Sequence, residues 1–133
     1  MDPTKTAGGA RVAVPADRSV LGASGEDLAC AHLVRRGMVV LDRNWRCPHG
    51  EIDVVARDGD VLVVCEVKTR RSLTHGDPVE AVTAAKVARL RRLAHAWRAE
   101  HPVRARGMRI DVIGVLVRPG HPPLLRHVVG VGS

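Results

Sequence analysis

The chain of 133 residues contains no phenylalanine and no tyrosine, and its only tryptophans are Trp45 and Trp97. A protein that binds single-stranded nucleic acid by stacking on the bases needs exposed aromatic rings, so that function is not favoured. Hydrophobic residues nevertheless make up 45% of the chain. A single domain of this length is therefore expected, with a core built from Val, Leu, Ile and Ala.

Several other signatures are also missing. Cys30, Cys47 and Cys65 form no CxxC pair, which predicts a reducing cytoplasm. Cys47 and His49 lack a matching second pair, so a structural zinc site is not expected. The absence of a Gly-rich phosphate loop, HExxH or a Ser-His-Asp order argues against nucleotide, zinc or serine hydrolase chemistry. No apolar run approaches the roughly 20 residues that span a bilayer, and no signal-peptide core is recognisable, so no membrane partner is expected.

The charge of the chain is strongly positive, with 21 Lys and Arg against 14 Asp and Glu, a formal net charge of +7. This balance favours an acidic partner, most simply DNA contacted through its phosphates. The alternative is a basic surface that is only solvated. The basic residues predicted to contact the nucleic acid are Arg70, Arg71, Lys86, Arg89 and Arg92.

The local patterns predict an α/β fold with helices flanking a mixed central sheet. Residues 1–21 are rich in Gly, Ala, Pro and charge and are expected to form a flexible tail before a single domain over residues 22–133. Ser24, with Asp27 three residues later, predicts the N-cap of a first helix that ends at Arg36. Asp77-Pro78-Val79-Glu80 predicts the start of a second helix that reaches Glu100. The predicted order is αβββαβ, with a further edge strand at residues 124–129 left open.

Residues 50–68 read as a β-hairpin around Asp58-Gly59-Asp60. Because side chains alternate along a strand, a turn at Asp58-Gly59 or at Gly59-Asp60 separates an apolar face from a charged one. The apolar face would carry Ile52, Val54, Ala56, Val61, Val63, Cys65 and Val67. The charged face would carry Glu51, Asp53, Val55, Arg57, Leu62, Val64, Glu66 and Lys68.

The charged face brings Asp53 close to Glu66, directly opposite it with the Gly59-Asp60 turn and diagonal to it with the other turn. Like charges at this distance are destabilising unless a positive group lies between them. Mg²⁺ or Mn²⁺ needs only one or two carboxylates in addition to water and substrate oxygens. We therefore predict that Asp53, Glu66 and the carbonyl of Val67 bind a divalent ion. Lys68, on the same face, would position the attacking water and stabilise the phosphate.

Two helical residues are expected near this site. Glu26 lies on the inward stripe of the first helix, where it could hold a second ion or a metal-bound water, although an acid at a helix N-terminus is favourable by itself. Lys86 lies on the apolar stripe of the second helix and either reaches towards phosphate or extends into solvent. The acids of the hairpin could also pair with Lys68 and Arg57 on a solvated face. Glu51 is expected to be a solvated strand end, and Asp111 to form a structural ion pair with Arg109.

The ordered set of motifs resembles the PD-(D/E)xK nuclease superfamily and, more narrowly, the YraN family of small bacterial proteins described in general terms as endonucleases. The resemblance covers about residues 22–117, and Ile52 stands where the superfamily motif has proline. It implies a restriction-endonuclease-like fold, metal binding at Asp53 and Glu66, a catalytic Lys68 and an accessory Glu26. The matching stretches are Gly25-Glu26 with Ala29 and Leu33, Asn44-Trp45-Arg46, Gly50-Glu51-Ile52-Asp53, Glu66-Val67-Lys68-Thr69-Arg70, Gly76-Asp77-Pro78, Glu80-Ala81-Val82, Lys86, and Arg109-Ile110-Asp111-Val112.

The predicted function is a Mg²⁺- or Mn²⁺-dependent endonuclease that hydrolyses DNA. Holliday-junction resolvases share a similar set of acids, so structured or branched DNA is included among the expected substrates. The alternative is a non-catalytic nucleic-acid-binding accessory protein with a vestigial nuclease site. A homodimer is left open.

Overall fold

The computed structural model of the chain describes residues 11–15, 24–72 and 82–132. These residues form one mixed sheet and two helices. The strands are β1 (Arg11–Pro15), β2 (Val39–Cys47), β3 (Gly50–Asp58), β4 (Val61–Arg70), β5 (Gly107–Leu116) and β6 (Leu124–Val128). The helices are α1 (Gly25–Arg35) and α2 (Ala84–Glu100). The predicted α/β class and the mixed sheet are confirmed.

The strands lie in the order β1-β6-β5-β4-β3-β2. β4 and β5 are parallel, and every other neighbouring pair is antiparallel. A parallel pair needs a crossover connection, and α2 lies in the segment that joins β4 to β5. The sheet therefore has β4 and β5 at its centre, where both faces are covered.

One helix packs on each face of the sheet. Leu28, Ala29 and Leu33 of α1 cover a cluster that includes Val54, Ala56, Val63 and Cys65. On the opposite face, Leu90, Leu93 and Trp97 of α2 cover a cluster that includes Val55, Leu62, Val64 and Ile110. With no Phe or Tyr available, aliphatic side chains and the buried Trp97 fill both layers. Neither described helix is long and apolar enough to cross a membrane.

The first helix begins and ends where its capping residues predict. The Ser24 hydroxyl accepts a hydrogen bond from the Asp27 N–H at 3.1 Å, and Asp27 Oδ2 accepts one from the Ser24 N–H at 3.3 Å. This reciprocal pair is a capping box, which satisfies N–H groups that the first turn of a helix leaves free. Gly37 follows the helix with φ +84°, a conformation that favours glycine.

Two predicted boundaries differ from the structure. The helix predicted from Asp77 to Glu100 is wrong as a continuous element, because Thr83 has extended backbone angles and its hydroxyl caps α2 by accepting from the Lys86 N–H at 3.2 Å. The start predicted at residues 77–80 lies outside the described residues. The flexible tail is wrong for residues 11–15, which form β1 and pair with β6. The strand expected at residues 124–129 is present as β6, but β1 lies outside it, so β6 is not an edge of the sheet.

The apolar alternation predicted for the hairpin holds except at Ile52. Val54 and Ala56 lie under α1, as expected, but Ile52 belongs to the cluster under α2. Asn44, with φ +52°, is the one described non-glycine residue with a positive φ, and the β2–β3 register places it opposite Asp53. Asparagine tolerates this left-handed conformation better than most residues. The side-chain alternation therefore shifts at Asp53, beside this local irregularity.

A chain of three buried polar side chains joins α1 to β5 and β6. The carboxylate of Asp111 on β5 lies 2.8 Å from His127 Nε2, and His127 Nδ1 lies 3.1 Å from His32 Nε2. All three side chains are almost fully buried. Arg109 Nε donates to Asp111 Oδ1 at 3.0 Å, which confirms the predicted structural ion pair. These contacts join α1 to β5 and β6.

Candidate active site

The turn of the β3–β4 hairpin places Asp53 and Glu66 opposite each other. The ladder pairs Asp58 with Val61, so the two-residue loop is Gly59-Asp60. Gly59 has φ +61°, as the first loop position of a type II′ turn requires. The paired register ends at Val54 and Cys65, and extending it by one residue would set Asp53 opposite Glu66. Of the two alternatives from the sequence, the register with the two acids directly opposite is the one observed.

Past the Val54–Cys65 pair, the side-chain carboxylate of Asp53, rather than a backbone carbonyl of β3, accepts a hydrogen bond from β4. Asp53 Oδ2 accepts a hydrogen bond from the Val67 N–H at 2.8 Å. In a strand, the N–H and C=O of one residue point to the same side. The carbonyl of Val67 therefore also faces the Asp53 side of β4, as the predicted ligand set requires.

The carboxyl groups of Asp53 and Glu66 lie close enough to influence each other's protonation directly. Burial, followed by this contact with Glu66, raises the pKa of Asp53 to about 7. Burial alone would also raise the pKa of Glu66, but its hydrogen bonds with Asp53 and Lys86 outweigh that effect and lower the pKa. Near neutral pH, one proton shared by the two groups relieves their repulsion. A divalent cation could provide the same relief.

Two lysines lie against this acidic pair. Lys86 Nζ on α2 is 3.1 Å from Glu66 Oε2, and both side chains are mostly buried. Lys68, on the same strand as Glu66, is in contact with Lys86, and this contact, together with burial, lowers the pKa of Lys68. The two acids and two lysines form one connected cluster, which we call the carboxyl–lysine cluster (Asp53, Glu66, Lys68 and Lys86).

The donor set fits a divalent ion of the magnesium type. Such an ion takes oxygen ligands and retains several waters, so two carboxylates and one carbonyl are sufficient. In the part of the chain that the structure describes, no three His, Cys, Asp or Glu side chains come close enough to hold one metal together. Any ion at Asp53 and Glu66 therefore depends on water or substrate oxygens for the rest of its shell.

Glu26 lies outside the carboxyl–lysine cluster, and two side chains of β2 hold it in place. Its Oε1 accepts hydrogen bonds from Arg43 Nε at 3.0 Å and from Asn44 Nδ2 at 2.8 Å. Gly25, one residue earlier, approaches Thr69 so closely that a Cβ there would overlap the Thr69 hydroxyl. These contacts fix the start of α1 beside the end of β4. The structure thus places Glu26 next to Asn44, the residue opposite Asp53, rather than in the carboxyl–lysine cluster.

The remaining basic residues predicted at the site are dispersed. Arg70 donates to the neighbouring Thr69 carbonyl at 3.2 Å at the end of β4. Arg71 is exposed beside a cavity of 560 Å³ that Arg118 and His121 also line. Arg89 and Arg92 are exposed on α2, on the surface that begins at Lys86. Lys86 itself binds a carboxylate of the protein, a partner that its place on the apolar stripe did not predict.

Arg43 and Asn44 are the residues that the sequence reasoning missed as partners of Glu26. The sequence signal that points to this contact is the matching stretch Asn44-Trp45-Arg46, which by itself assigns no role to Asn44. Glu51 is exposed and pairs with Arg46 at 3.2 Å, which agrees with its interpretation as a solvated strand end.

Comparison with known proteins gives a consistent family. A profile described as "Uncharacterised protein family UPF0102" matches residues 25–115. A UPF0102 protein of Nocardioides sp. is 59% identical over 121 residues, covering 90% of this chain and 97% of that protein. A UPF0102 protein of Kineococcus radiotolerans is 56% identical over 115 residues, covering 86% and 94%. One of Arthrobacter sp. is 52% identical over 115 residues, covering 86% and 98%. The chain therefore belongs to the UPF0102 family, the YraN family that its motifs resemble.

Proposed function

We propose that the protein is a divalent-cation-dependent nuclease that hydrolyses phosphodiester bonds in DNA, with a restriction-endonuclease-like fold. The observation that carries the proposal is the meeting of the Asp53 and Glu66 carboxyl groups, with Lys86 Nζ 3.1 Å from Glu66 and Lys68 beside it. Two adjacent acids in a mostly buried position are costly for folding. Such a cost is common at sites that bind and activate ligands.

Each member of the cluster has a role that its position supports. Asp53, Glu66 and the Val67 carbonyl would hold Mg²⁺ or Mn²⁺. A bound ion of this kind neutralises phosphate charge and lowers the pKa of a coordinated water. The lowered pKa of Lys68 brings its amine closer to the range in which it can exchange a proton with the attacking water. Lys86 would stabilise charge on the phosphate once Glu66 has another partner. Glu26, which accepts a hydrogen bond from the Asn44 side chain, would orient water outside the cluster.

DNA is the proposed substrate because the formal net charge is +7 and exposed arginines lie on α2 next to the cluster. Backbone contact of this kind does not depend on base sequence. Structured or branched DNA belongs to the same proposal, as does a homodimer that acts on two strands. The reducing cytoplasm is the proposed location, and Cys30, Cys47 and Cys65 are all free thiols.

A second candidate is a non-catalytic nucleic-acid-binding protein. The observation that favours it is the Lys86–Glu66 ion pair, which already compensates one of the two acids. In that case the cluster would be a structural network, and the basic surface alone would carry the function. This candidate requires that DNA binding survive Asp53→Asn and that no cleavage accompany it.

The test is cleavage of plasmid, linear, nicked and four-way-junction DNA in Mn²⁺ and in EDTA. Wild-type protein should cleave at least one of these substrates in Mn²⁺ only, and Glu66→Gln should lower the rate by at least 100-fold. Glu51→Gln is the matched control, because it removes one acid from the neighbouring strand end where the side chain is 49% exposed. Equal rates for wild type and Glu66→Gln would reject the nuclease proposal in favour of the binding protein.

A further inference from the structure

A groove runs along α2 from the carboxyl–lysine cluster towards the β2–β3 turn. One cavity of 370 Å³ is lined by Thr83, Ala85, Lys86, Arg89 and Arg92. A second cavity of 270 Å³ is lined by His49, Arg89, Arg92, Leu93 and Ala96. The two cavities adjoin at Arg89 and Arg92, which line both, and we call them together the α2 groove.

The β2–β3 turn packs against α2 at one end of the α2 groove. Gly50 of the β2–β3 turn has φ +141°, and a Cβ there would lie 3.4 Å from Leu93 Cδ1. The turn therefore packs directly on α2 and raises His49 as one wall. Ala85 and Ala96 contribute small side chains to the lining of the two cavities. From Thr83 to Ala96 the helix rises about 20 Å, since each residue adds about 1.5 Å.

The charges in the α2 groove have one sign. Lys86, Arg89 and Arg92 repeat every three residues along one side of α2, and none of the described residues that line the groove is an acid. Within the described ranges, no ion pair joins an acid to Arg89 or Arg92. Other arginines in this part of the chain are paired, such as Arg43 with Glu26 and Arg109 with Asp58. Two exposed guanidinium groups are thus left to bind an anion.

We propose that the α2 groove binds the phosphodiester backbone of one nucleic-acid strand and leads it to the carboxyl–lysine cluster. Lys86 to Arg92 spans about 9 Å of helix, which corresponds to about two or three phosphates of one strand at about 3.4 Å of axial rise each. The described residues that line the groove include three cations and no Trp, so contact with the backbone is expected to dominate and to be independent of sequence. This inference extends the proposed function, yet it concerns binding and can be tested without cleavage.

The test compares two double variants on the same helix. Arg89→Gln/Arg92→Gln removes both groove charges. Arg91→Gln/Arg98→Gln is the control, since those side chains donate to the Gly132 and Ala105 carbonyls at 3.3 Å. Both doubles lower the formal net charge of +7 by two. Binding of duplex DNA, single-stranded DNA and duplex RNA is measured in EDTA as salt increases, with circular dichroism to verify folding.

The groove variant should bind duplex DNA about tenfold more weakly than the control at 100 mM salt. Its slope of log affinity against log salt should be shallower than that of the control by about 1.8 for duplex and about 1.4 for single-stranded DNA. The reason is that binding with two fewer phosphate contacts releases fewer counterions. The RNA arm identifies which backbone is preferred. Equal losses in the two doubles would overturn the inference. Loss of binding in the groove variant, together with no cleavage by wild type, would reject the nuclease but keep the groove.

Discussion

Lys86 Nζ lies 3.1 Å from Glu66 Oε2, so that an ammonium group from α2 occupies the position beside a buried acid where the sequence predicted a metal ion. The lysine and the predicted ion are both positive charges for the same carboxylate. Lys86 therefore supplies the acidic pair with a positive charge from the protein itself. This relation explains how Asp53 and Glu66 can face each other in a folded protein, and it makes the behaviour of Lys86 variants informative.

Lys86→Met should destabilise the protein by about 1–3 kcal/mol in EDTA at pH 8, because the buried carboxylate of Glu66 loses its ion pair with Lys86. Addition of Mn²⁺ should restore more stability to this variant than to wild type, since the ion replaces the missing charge. Urea unfolding with and without Mn²⁺ measures both effects. The double variant Lys86→Met/Glu66→Gln is the control and should recover most of the loss without Mn²⁺. A smaller Mn²⁺ effect in Lys86→Met than in wild type would contradict this relation.

Asp53→Asn should stabilise the protein at pH 8 and have little effect near pH 4. The pKa of Asp53 is raised to about 7 from an ordinary value of 3.8, so the folded state retains a proton that the unfolded state loses. A carboxyl group whose pKa is raised by folding adds to the free energy of unfolding below about pH 4, and this addition is lost as pH rises from about 4 to 7. With allowance for partial exposure, the gain at pH 8 is on the order of 2 kcal/mol.

Urea unfolding in EDTA at several pH values between 4 and 8 measures this difference. Glu51→Gln is the matched control, and its effect should stay within about 0.5 kcal/mol at every pH because that side chain is exposed. An Asp53→Asn variant that is less stable than wild type at pH 8 would show that the carboxylate stabilises the fold through the Val67 N–H more than the neighbouring acid opposes it.

The part of the site that depends on one hairpin was predictable from the sequence. The apolar and charged faces limited the turn to two positions, and the observed Gly59-Asp60 turn is one of them. The capping box at Ser24 and Asp27 was equally local and was predicted in full. Such features involve residues that are three to fourteen positions apart, where spacing determines geometry directly.

Features that depend on distant residues were not predictable in this way. Ile52 lies on the α2 face of the sheet rather than the predicted α1 face, near the point where Asn44, on another strand, adopts a positive φ. The contact of His32 with His127 joins residues 95 positions apart, and no local pattern signals it. The start of α2 was mistaken because Asp77-Pro78 is a strong helix start, yet Thr83 caps the observed helix.

Gly25→Ala should lower the free energy of unfolding by about 1–3 kcal/mol, because the new Cβ would overlap the Thr69 hydroxyl. Alanine is otherwise the better helix former, so an opposite result would be expected from propensity alone. Thr69→Ala removes the overlapping oxygen, and the double variant should recover most of the loss. Thermal unfolding of all four proteins gives the coupling energy of the pair. Additive effects would mean that α1 does not approach the end of β4 as closely as described.

The His32–His127–Asp111 chain should make the fold sensitive to acid. Burial, followed by the charge of His127, lowers the pKa of His32 from 6.5 to about 4. The folded state therefore excludes a proton that the unfolded state binds, and stability is lost as pH falls from about 6.5 to 4. The loss is on the order of 2–3 kcal/mol.

Glutamine at position 32 retains an N–H donor for His127 but cannot be protonated in this range. His32→Gln should therefore flatten the stability profile between pH 6.5 and 4, as measured by urea unfolding. His95→Gln, at an exposed position of α2, is the control and should leave the profile of wild type unchanged. If His32→Gln kept the full acid dependence, the proton uptake on unfolding would have to come from other groups, and the buried chain would serve only to hold α1 on the sheet.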